Sequence, residues 1–298
     1  MAAALLIPSP LAAQPRGTSD PGGFRSEMRM QGYYFDNFFH STNPAEERNV
    51  TALGSELRGG YRPGERPLEV FGHLSVVRYG VREVPESLGG RIGVRHDGAV
   101  HQWTAYLDRA ENRPSFEVGN TFGSADVTTV SGAYAYRVVP EWEFGAEGIH
   151  QRQTFSAQNN RRNDYTALGA SVRYRGFGWR FRPEIGLDSG RREVVNAAES
   201  YDTRDWYVQA SYMPVLPRDP LYLSLRYRDR NRAYTISDPG TRNFGRREVR
   251  GEWMLLADLR IAQNVNTWMY FTTENVDSSV PGGNFEVGFL LVGVTIGF

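Results

Sequence analysis

Arginines recur at every second position along several short runs of this sequence, and carboxylates keep the same rhythm. Arg226, Arg228 and Arg230 follow one another at this spacing, and a second run extends over residues 180–188. A guanidinium group is planar and permanently charged, so it binds carboxylates and other anions through parallel hydrogen bonds. A spacing of two places these groups on one face of a β-strand, since successive side chains point to opposite faces. The pattern therefore predicts strand faces that pair carboxylates or attract small anions.

The candidate site consists of charged residues that lie at such alternate positions, on the same face of neighbouring strands. They are Arg173, Arg175, Arg180, Arg182, Glu184, Arg226, Arg228, Arg230, Arg250, Glu252, Asp258 and Arg260. Two interpretations stay open. Either the arginines focus a positive field on small anions or acidic sugars, or arginine–carboxylate pairs only stiffen a wall. The formal net charge of zero favours the wall, whereas three consecutive inward arginines without an inward carboxylate on their own strand favour the anion field.

Patterns for catalysis and metal binding are weak in this chain. His73 and Ser75 have a spacing that a lipid-hydrolysing site could use, but the flanking residues of such sites are missing. The other histidines are scattered and show no metal-ligand spacing. The sequence contains no cysteine, which excludes disulfides and thiol chemistry. We expect no enzyme activity, no metal and no cofactor.

The composition excludes some membrane architectures and leaves another open. The chain has 298 residues and a mean hydropathy of −0.50. No apolar run approaches the ~18 residues that a membrane-spanning helix needs. Helical membrane proteins are therefore excluded, but a β-barrel is not, because alternate residues of its strands can be polar.

The alternation of apolar and polar residues predicts about fourteen strands. Many runs have about 10–14 residues, longer than the ~5–6 of a usual globular strand, and short turns alternate with longer polar loops. The predicted strands are 24–38, 49–61, 67–81, 89–96, 99–109, 128–139, 141–153, 164–175, 178–188, 203–213, 221–230, 246–262, 265–275 and 284–298. Sixteen strands is the main alternative and twelve is less favoured. Segment 110–127 either holds a further strand pair or folds into the bore.

The last nine residues carry the most informative pattern. Leu290, Val292, Val294, Ile296 and Phe298 share one face of a strand that ends on an aromatic residue. This stripe resembles the closing strand of Gram-negative outer-membrane β-barrels, where it is the recognition signal for the barrel-assembly machinery. The resemblance extends over the whole mature length of the chain and is strongest to the small monomeric fourteen-stranded porins, with no narrower family assigned. It implies an all-β fold, a closed antiparallel transmembrane β-barrel.

This architecture gives each part of the chain a role. We expect residues 1–13 to be the remnant of a signal peptide, 14–23 a flexible lead-in and 24–298 the barrel. Aromatic side chains near the ends of the apolar stripes would lie at the lipid headgroups, since amphipathic rings prefer that level. The predicted membrane belt is Trp142, Trp179, Trp206, Tyr212, Tyr227 and Phe298.

The sequence thus predicts a channel in the bacterial outer membrane for passive diffusion of small polar or anionic solutes through an arginine-lined lumen. The alternatives are a non-conducting structural barrel docked to a partner in an envelope assembly, and a barrel for polysaccharide export. The expected partners are outer-membrane lipid and lipopolysaccharide, the barrel-assembly machinery and the solutes. Nucleic acid is not expected.

Overall fold

The structure is a computed structural model. It describes residues 23–36, 49–64, 66–116, 122–155, 161–178, 180–194, 199–214, 221–241 and 243–298. The predicted signal-peptide remnant and nearly all of the lead-in lie outside these residues. The described part contains no helix long and apolar enough to cross a bilayer.

Fourteen antiparallel strands make up the described fold. They are β1 (Gly23–Asp36), β2 (Val50–Arg62), β3 (Leu68–Tyr79), β4 (Ser87–Asp97), β5 (His101–Phe116), β6 (Phe122–Val139), β7 (Trp142–Phe155), β8 (Arg161–Tyr174), β9 (Phe181–Val194), β10 (Tyr201–Tyr212), β11 (Leu221–Tyr234), β12 (Arg247–Ala262), β13 (Val265–Ser278) and β14 (Phe285–Gly297). Each strand pairs with its neighbours in the sequence, and β1 also pairs with β14, so the sheet closes into a barrel. The predicted all-β closed barrel of fourteen strands is confirmed.

The two ends of the barrel differ. The terminal end carries the first residue of β1 and the last residue of β14, and the opposite end is called the loop end. Connections at the terminal end include the two-residue turns 140–141 and 263–264, whereas the longest connections, 37–49 and 235–246, lie at the loop end. Both chain ends of the barrel therefore lie on the side of the tight turns, as the alternation of turns and loops predicted.

Several strands continue further toward the loop end than the hydrophobic pattern indicated. β5 ends at Phe116 instead of 109, and β6 begins at Phe122 instead of 128. Most of segment 110–127 is thus neither a further strand pair nor a loop folded into the bore, but an extension of an existing hairpin. A bulge between Ala110 and Arg113 accommodates Asn112, whose φ is 53°. The backbone pairing of β5 and β6 extends beyond the alternating apolar residues, because hydrogen bonds between strands do not depend on an apolar face.

The outer surface of the barrel is apolar. Among the outward side chains, Leu53, Leu74, Leu168 and Leu187 have exposures between 64% and 73%. Apolar surface around the whole circumference far exceeds the few hundred Å² that a soluble monomer leaves exposed. This surface is a lipid-facing belt.

Three predicted belt residues mark the terminal end of the barrel. Trp142 is the first residue of β7, Tyr212 is the last of β10, and Phe298 directly follows β14. Their exposures are 44%, 46% and 75%, so all three rings are available to lipid. Trp179, another predicted belt residue, lies outside the described residues.

Trp206 and Tyr227 mark the opposite boundary of the belt. Their rings lie 5.5 Å apart on the outer face. The next outward residue toward the loop end is Arg204 on β10 and Asp229 on β11. Each ring is therefore the last apolar position of its stripe, although it stands near the middle of its strand.

Candidate functional site: the luminal cavity

Residues from all fourteen strands line one cavity inside the barrel. Its volume is about 810 Å³. The lining extends from Arg182 and Met213 near the terminal end to Arg192 and Arg232 near the loop end. The cavity thus follows the bore over most of the strand length, as expected for a barrel whose width exceeds what side chains alone fill.

The structure brings most of the predicted site residues to this cavity. Those that line it are Arg173, Arg182, Glu184, Arg226, Arg228, Arg230 and Glu252. Arg250 and Asp258 share their inward parity but are buried in the wall, with exposures of 2% and 6%. The alternation of side chains along a strand therefore located the luminal face, but it did not show which luminal groups border the open bore.

Three predicted residues lie at the terminal end instead. Arg175 directly follows β8 and reaches the carboxylate of Glu143 at 2.6 Å. Arg180 precedes β9, and its backbone carbonyl accepts a hydrogen bond from Met213. Arg260 is exposed and donates to the carbonyl of Gln263 in the next turn. Arg180 and Arg260 do not line the cavity, because the alternation of inward and outward side chains breaks down where a strand passes into its turn.

The arginine run on β11 is paired by carboxylates from other strands. Arg228 lies 2.8 Å from Asp188 of β9 and 2.6 Å from Asp205 of β10, and Arg230 lies 2.8 Å from Asp205. The absence of an inward carboxylate on β11 itself therefore did not leave these two arginines without a partner. For them, the interpretation as a wall of ion pairs is the better one.

Arg226 differs from its two neighbours on β11. Its guanidinium lies over the Tyr207 ring, 3.6 Å from the ring centre. Among the described residues no carboxylate oxygen lies within 4.0 Å of it, and its Nε has no hydrogen-bond partner. This group is a luminal cation that is held by an aromatic face instead of an opposite charge.

Tyr207 is positioned by its neighbours on β9. Gly186 leaves room for the ring, because a Cβ at that position would come within 2.2 Å of it. The Tyr207 hydroxyl donates to Glu184 at 2.8 Å. Gly186, Tyr207 and Arg226 thus form a stack across β9, β10 and β11 that fixes where the charge of Arg226 lies.

A second cluster surrounds Glu143 near the terminal end. Arg173 contacts Glu143 at 2.6 Å and also Glu184 at 2.6 Å, while Arg137 lies 3.6 Å from Glu143. Together with Arg175, three guanidinium groups converge on one buried carboxylate. The cluster ties β6 to β9 across the terminal part of the lumen.

A third cluster, near the loop end, combines the predicted Arg250 with four residues that were not predicted, namely Arg232, Arg246, Glu248 and Glu274. Glu248 is fully buried and contacts Arg246 at 2.5 Å, Arg250 at 2.7 Å and Arg232 at 3.7 Å. Arg250 also contacts Glu274 of β13 at 3.1 Å. Arg246 belongs to the connection between β11 and β12, so this cluster fastens that connection to the wall. The signal available in the sequence was that Glu248 is two positions from Arg250 and therefore on the same, inward face of β12.

The wall formed by β2 to β5 is ionic as well. Glu69 contacts Arg95 at 2.7 Å, and Arg91 contacts Asp108 at 3.1 Å. Beside them, His73 has Nδ1 3.3 Å from Glu56. His73 therefore points into the lumen, and Ser75 shares its parity. A lipid-hydrolysing site would need the opposite face. The described residues contain no group of three or more side chains able to hold a metal ion.

An apolar wall also lines the lumen, which the sequence analysis did not predict. Its buried members lie on β12, β13 and β14 and at the adjoining ends of β10 and β11, and β1 packs against them. The luminal apolar wall is Tyr33, Phe35, Met213, Tyr222, Met254, Leu256, Trp268, Tyr270, Phe289 and Leu291. Barrel interiors are usually polar, with apolar residues facing lipid. β14 has apolar side chains on both faces, and parity alone gave no reason to distinguish it.

The charges around the bore are positive on balance. Twelve arginines and nine carboxylates line the cavity, a formal excess of three positive charges. The chain as a whole has a net charge of zero, so the lumen is more positive than the remainder. Low-dielectric walls concentrate such a field along the axis of a pore.

No protein-family model matches the sequence, and no curated protein matches it. Among solved structures, a loop deletion mutant of OmpT, an outer membrane protein of Vibrio cholerae, aligns over 94% of this chain and 100% of its own. The identity is 9% and the TM-score is 0.48. A bacterial polysaccharide outer membrane secretin aligns with 11% identity and a TM-score of 0.46 over 92% of this chain and 98% of its own. The anion-selective porin from Comamonas acidovorans aligns with 13% identity and a TM-score of 0.43, over 93% of this chain and 100% of its own.

The barrel's own geometry places it in a membrane. An even number of antiparallel strands, an apolar exterior bounded by aromatic rings, a polar bore and tight turns on the side of the termini occur together in one architecture. The chain is an outer-membrane β-barrel. Its location is the bacterial outer membrane, where closed single-chain barrels of this type reside.

Proposed function

We propose that this barrel is a channel for passive diffusion of small polar or anionic solutes. The observation that carries the proposal is the continuous cavity, which all fourteen strands line and in which arginines outnumber carboxylates by three. A cationic bore lowers the free energy of an entering anion, and the field raises its local concentration. The solutes themselves would be small enough to pass between the ionic clusters.

Two kinds of luminal arginine have different roles in this mechanism. Paired arginines such as Arg228 and Arg230 hold the wall rigid, since their charge is largely cancelled by Asp188 and Asp205. Arg113, Arg182 and Arg226 line the cavity without a carboxylate within 4.0 Å among the described residues. These three supply the uncompensated field, and the carboxylates elsewhere in the bore keep anions from being trapped.

We expect the purified protein to conduct ions in a planar lipid bilayer, with a mild preference for anions. In a potassium chloride gradient, the sign of the reversal potential reports this preference. The preference should be clear at 0.1 M salt and largely lost at 1 M, because the screening length falls from about 10 Å to about 3 Å. Absence of conductance from correctly folded protein would contradict the channel and favour the structural barrel.

The Arg226→Gln variant tests the source of the selectivity. It removes a luminal charge without leaving a carboxylate unpaired, so the reversal potential should move toward cations while conductance persists. Arg204→Gln is the matched control, because Arg204 is exposed on the outer face above the belt. Equal shifts in both variants would show that the selectivity does not arise in the lumen.

A further inference from the structure

A second cavity lies at the terminal end of the barrel and combines arginines with apolar residues. Its volume is about 450 Å³, and its lining includes Arg137, Arg175 and Arg182 together with Val100 and Val138. No carboxylate is among the described residues that line it. Arg182 also lines the large cavity, so the two spaces adjoin at this side chain. This terminal cavity is therefore a cationic recess beside the mouth of the bore.

A row of alternating charges crosses four strands at this cavity. Its members, in strand order from β6 to β9, are Arg137, Glu143, Arg173 and Glu184. Each member is directly opposite the next in the register of the sheet. Two arginines alternate with two carboxylates, so the charges of this row offset each other.

The next inward positions of β8 and β9 toward the terminal end hold arginines only. They are Arg175, which shares the Glu143 carboxylate with two other arginines, and Arg182, which is opposite the neutral Ser211 of β10. Among the described residues no carboxylate oxygen lies within 4.0 Å of Arg182. Glu141, in the adjoining turn, is exposed and does not line the terminal cavity. Two positive charges therefore remain at this mouth without a carboxylate of their own.

Hydrogen-bond donors of the same arginines lack acceptors. The Nε atoms of Arg137 and Arg182 are buried and have no hydrogen-bond partner among the described residues. A buried donor without a partner is unfavourable, and more so when it is charged. Guanidinium groups bind phosphate oxygens through parallel hydrogen bonds. An anion with several oxygens satisfies donors of more than one arginine at once, which a single-atom anion such as chloride does not.

The apolar part of the terminal cavity borders lipid. Val138 continues the outward stripe of β6 and is 52% exposed, and Val100, just before β5, is 47% exposed. Val139, which also lines the cavity, is directly opposite the belt residue Trp142. Rings of this belt lie at the level of the lipid headgroups. The recess therefore joins luminal arginines to the headgroup level of the membrane.

From this geometry we propose a binding site for a phosphate group at the terminal mouth of the barrel. Arg137, Arg175 and Arg182 donate hydrogen bonds to its oxygens, and Arg182 supplies a charge that no carboxylate offsets. The phosphate belongs to a free ion in the bore or to a lipid headgroup at the rim, and both present the same oxygens to the arginines. The inference goes beyond the proposed function, since it requires binding and not passage.

Equilibrium dialysis of the full-length refolded barrel in nonionic detergent micelles tests the free ion. Radiolabelled inorganic phosphate is the probe and chloride is the competitor. We expect phosphate to bind about tenfold or more tightly than chloride, because charge-assisted hydrogen bonds from more than one arginine act on one anion. Displacement of bound phosphate by an equal concentration of chloride would overturn binding of the free ion by the cluster.

A second arm presents the phosphate on a lipid. Native mass spectrometry of the same barrel counts the phosphatidylglycerol molecules that stay bound, and diacylglycerol, which lacks the phosphate, is the control lipid. Selective retention of phosphatidylglycerol would assign the site to a headgroup, and phosphate binding without such retention would assign it to the free ion. Equal retention of the two lipids counts as no binding of phosphate. Binding in neither arm would overturn the proposal.

Two variants tell the cluster from the general field of the bore. Arg182→Gln removes a charge without leaving a carboxylate unpaired, and it should weaken binding about tenfold or more in the arm that shows binding. Arg226→Gln removes an equal luminal charge on β11, over Tyr207, and should weaken binding less. Heat-modifiable electrophoretic mobility shows that each variant is a folded barrel. Unchanged binding in folded Arg182→Gln, or equal weakening in both variants, would overturn the site.

Binding and conductance can fail independently of each other. Conductance from a barrel that binds phosphate in neither arm would overturn the site and leave the channel intact. Phosphate binding that needs Arg182, in a barrel that does not conduct, would support the site and contradict the channel.

Discussion

The Glu248→Gln variant is expected to lower the free energy of unfolding by about 3–5 kcal/mol, the usual cost of removing one partner from a buried ion pair. Glu248 is 1% exposed and is shared by Arg232, Arg246 and Arg250. When Glu248 loses its charge, Glu274 is the one carboxylate among the described residues that still contacts this group of guanidiniums. The loss should also release the connection that Arg246 fastens to the wall.

Urea unfolding in lipid vesicles, followed by tryptophan fluorescence, measures this effect. Glu111→Gln is the matched control, because Glu111 is half exposed and its contact with Arg109 is 3.4 Å long. Exposed pairs of this kind contribute roughly 0–1 kcal/mol. A loss for Glu248→Gln no larger than that of Glu111→Gln would contradict the buried network.

A second large loss of stability is expected for a substitution on the outer face of the barrel. Ile185→Arg should lower the free energy of unfolding by about 2–4 kcal/mol, the range for arginine near the middle of the bilayer on a lipid-facing strand. Ile185 is 54% exposed and lies between the apolar outward residues Phe181 and Leu187 of β9. The charge would have to enter the hydrocarbon region or force its deformation.

Ser189→Arg supplies the control on the same strand and the same face. Ser189 is exposed and follows Leu187, the last apolar outward residue of β9, toward the loop end. At the interface the cost of arginine falls to about 0–1 kcal/mol. Both variants can be unfolded by urea in the same vesicles. Equal losses would show that the lipid boundary does not lie between these two positions.

Strand number and the direction of each face could be predicted from the sequence. In β11, Leu223, Leu225 and Tyr227 face outward, and Arg226 and Arg228 face the lumen, as their alternation indicated. The prediction succeeds because the side-chain period of a strand is two, so one correct residue fixes its whole run. The same rule fails at strand ends, as Arg180 and Arg260 show.

Ion pairing in the lumen could not be predicted in this way. Arg228 and its partner Asp188 are 40 residues apart in the sequence. They meet because β9, β10 and β11 pair in a particular register, with Asp205 opposite both Asp188 and Arg230. A pattern within one strand contains no information on register between strands. It therefore could not separate Arg226, which lacks such a partner, from Arg228 and Arg230.

The luminal apolar wall shows a related limit. In β14, Leu291 and Phe289 face inward while Leu290 and Val292 face lipid, so both faces of the strand are apolar. Over residues 285–292 hydropathy alone does not show which face meets lipid, although the apolar stripe that continues through Val294, Ile296 and Phe298 does. Pairing with β1 and β13 brings Phe35 and Tyr270 beside Phe289 on the inner face.

The sequence by itself determined the solvent of most strand faces and hence the barrel, because alternation at a period of two is a local property of the chain. Tertiary structure decided which charges cancel, which arginines stay without a carboxylate partner and that aromatic rings gather on one side of the bore. These features depend on the register and closure of the sheet, which bring together residues that are distant along the chain.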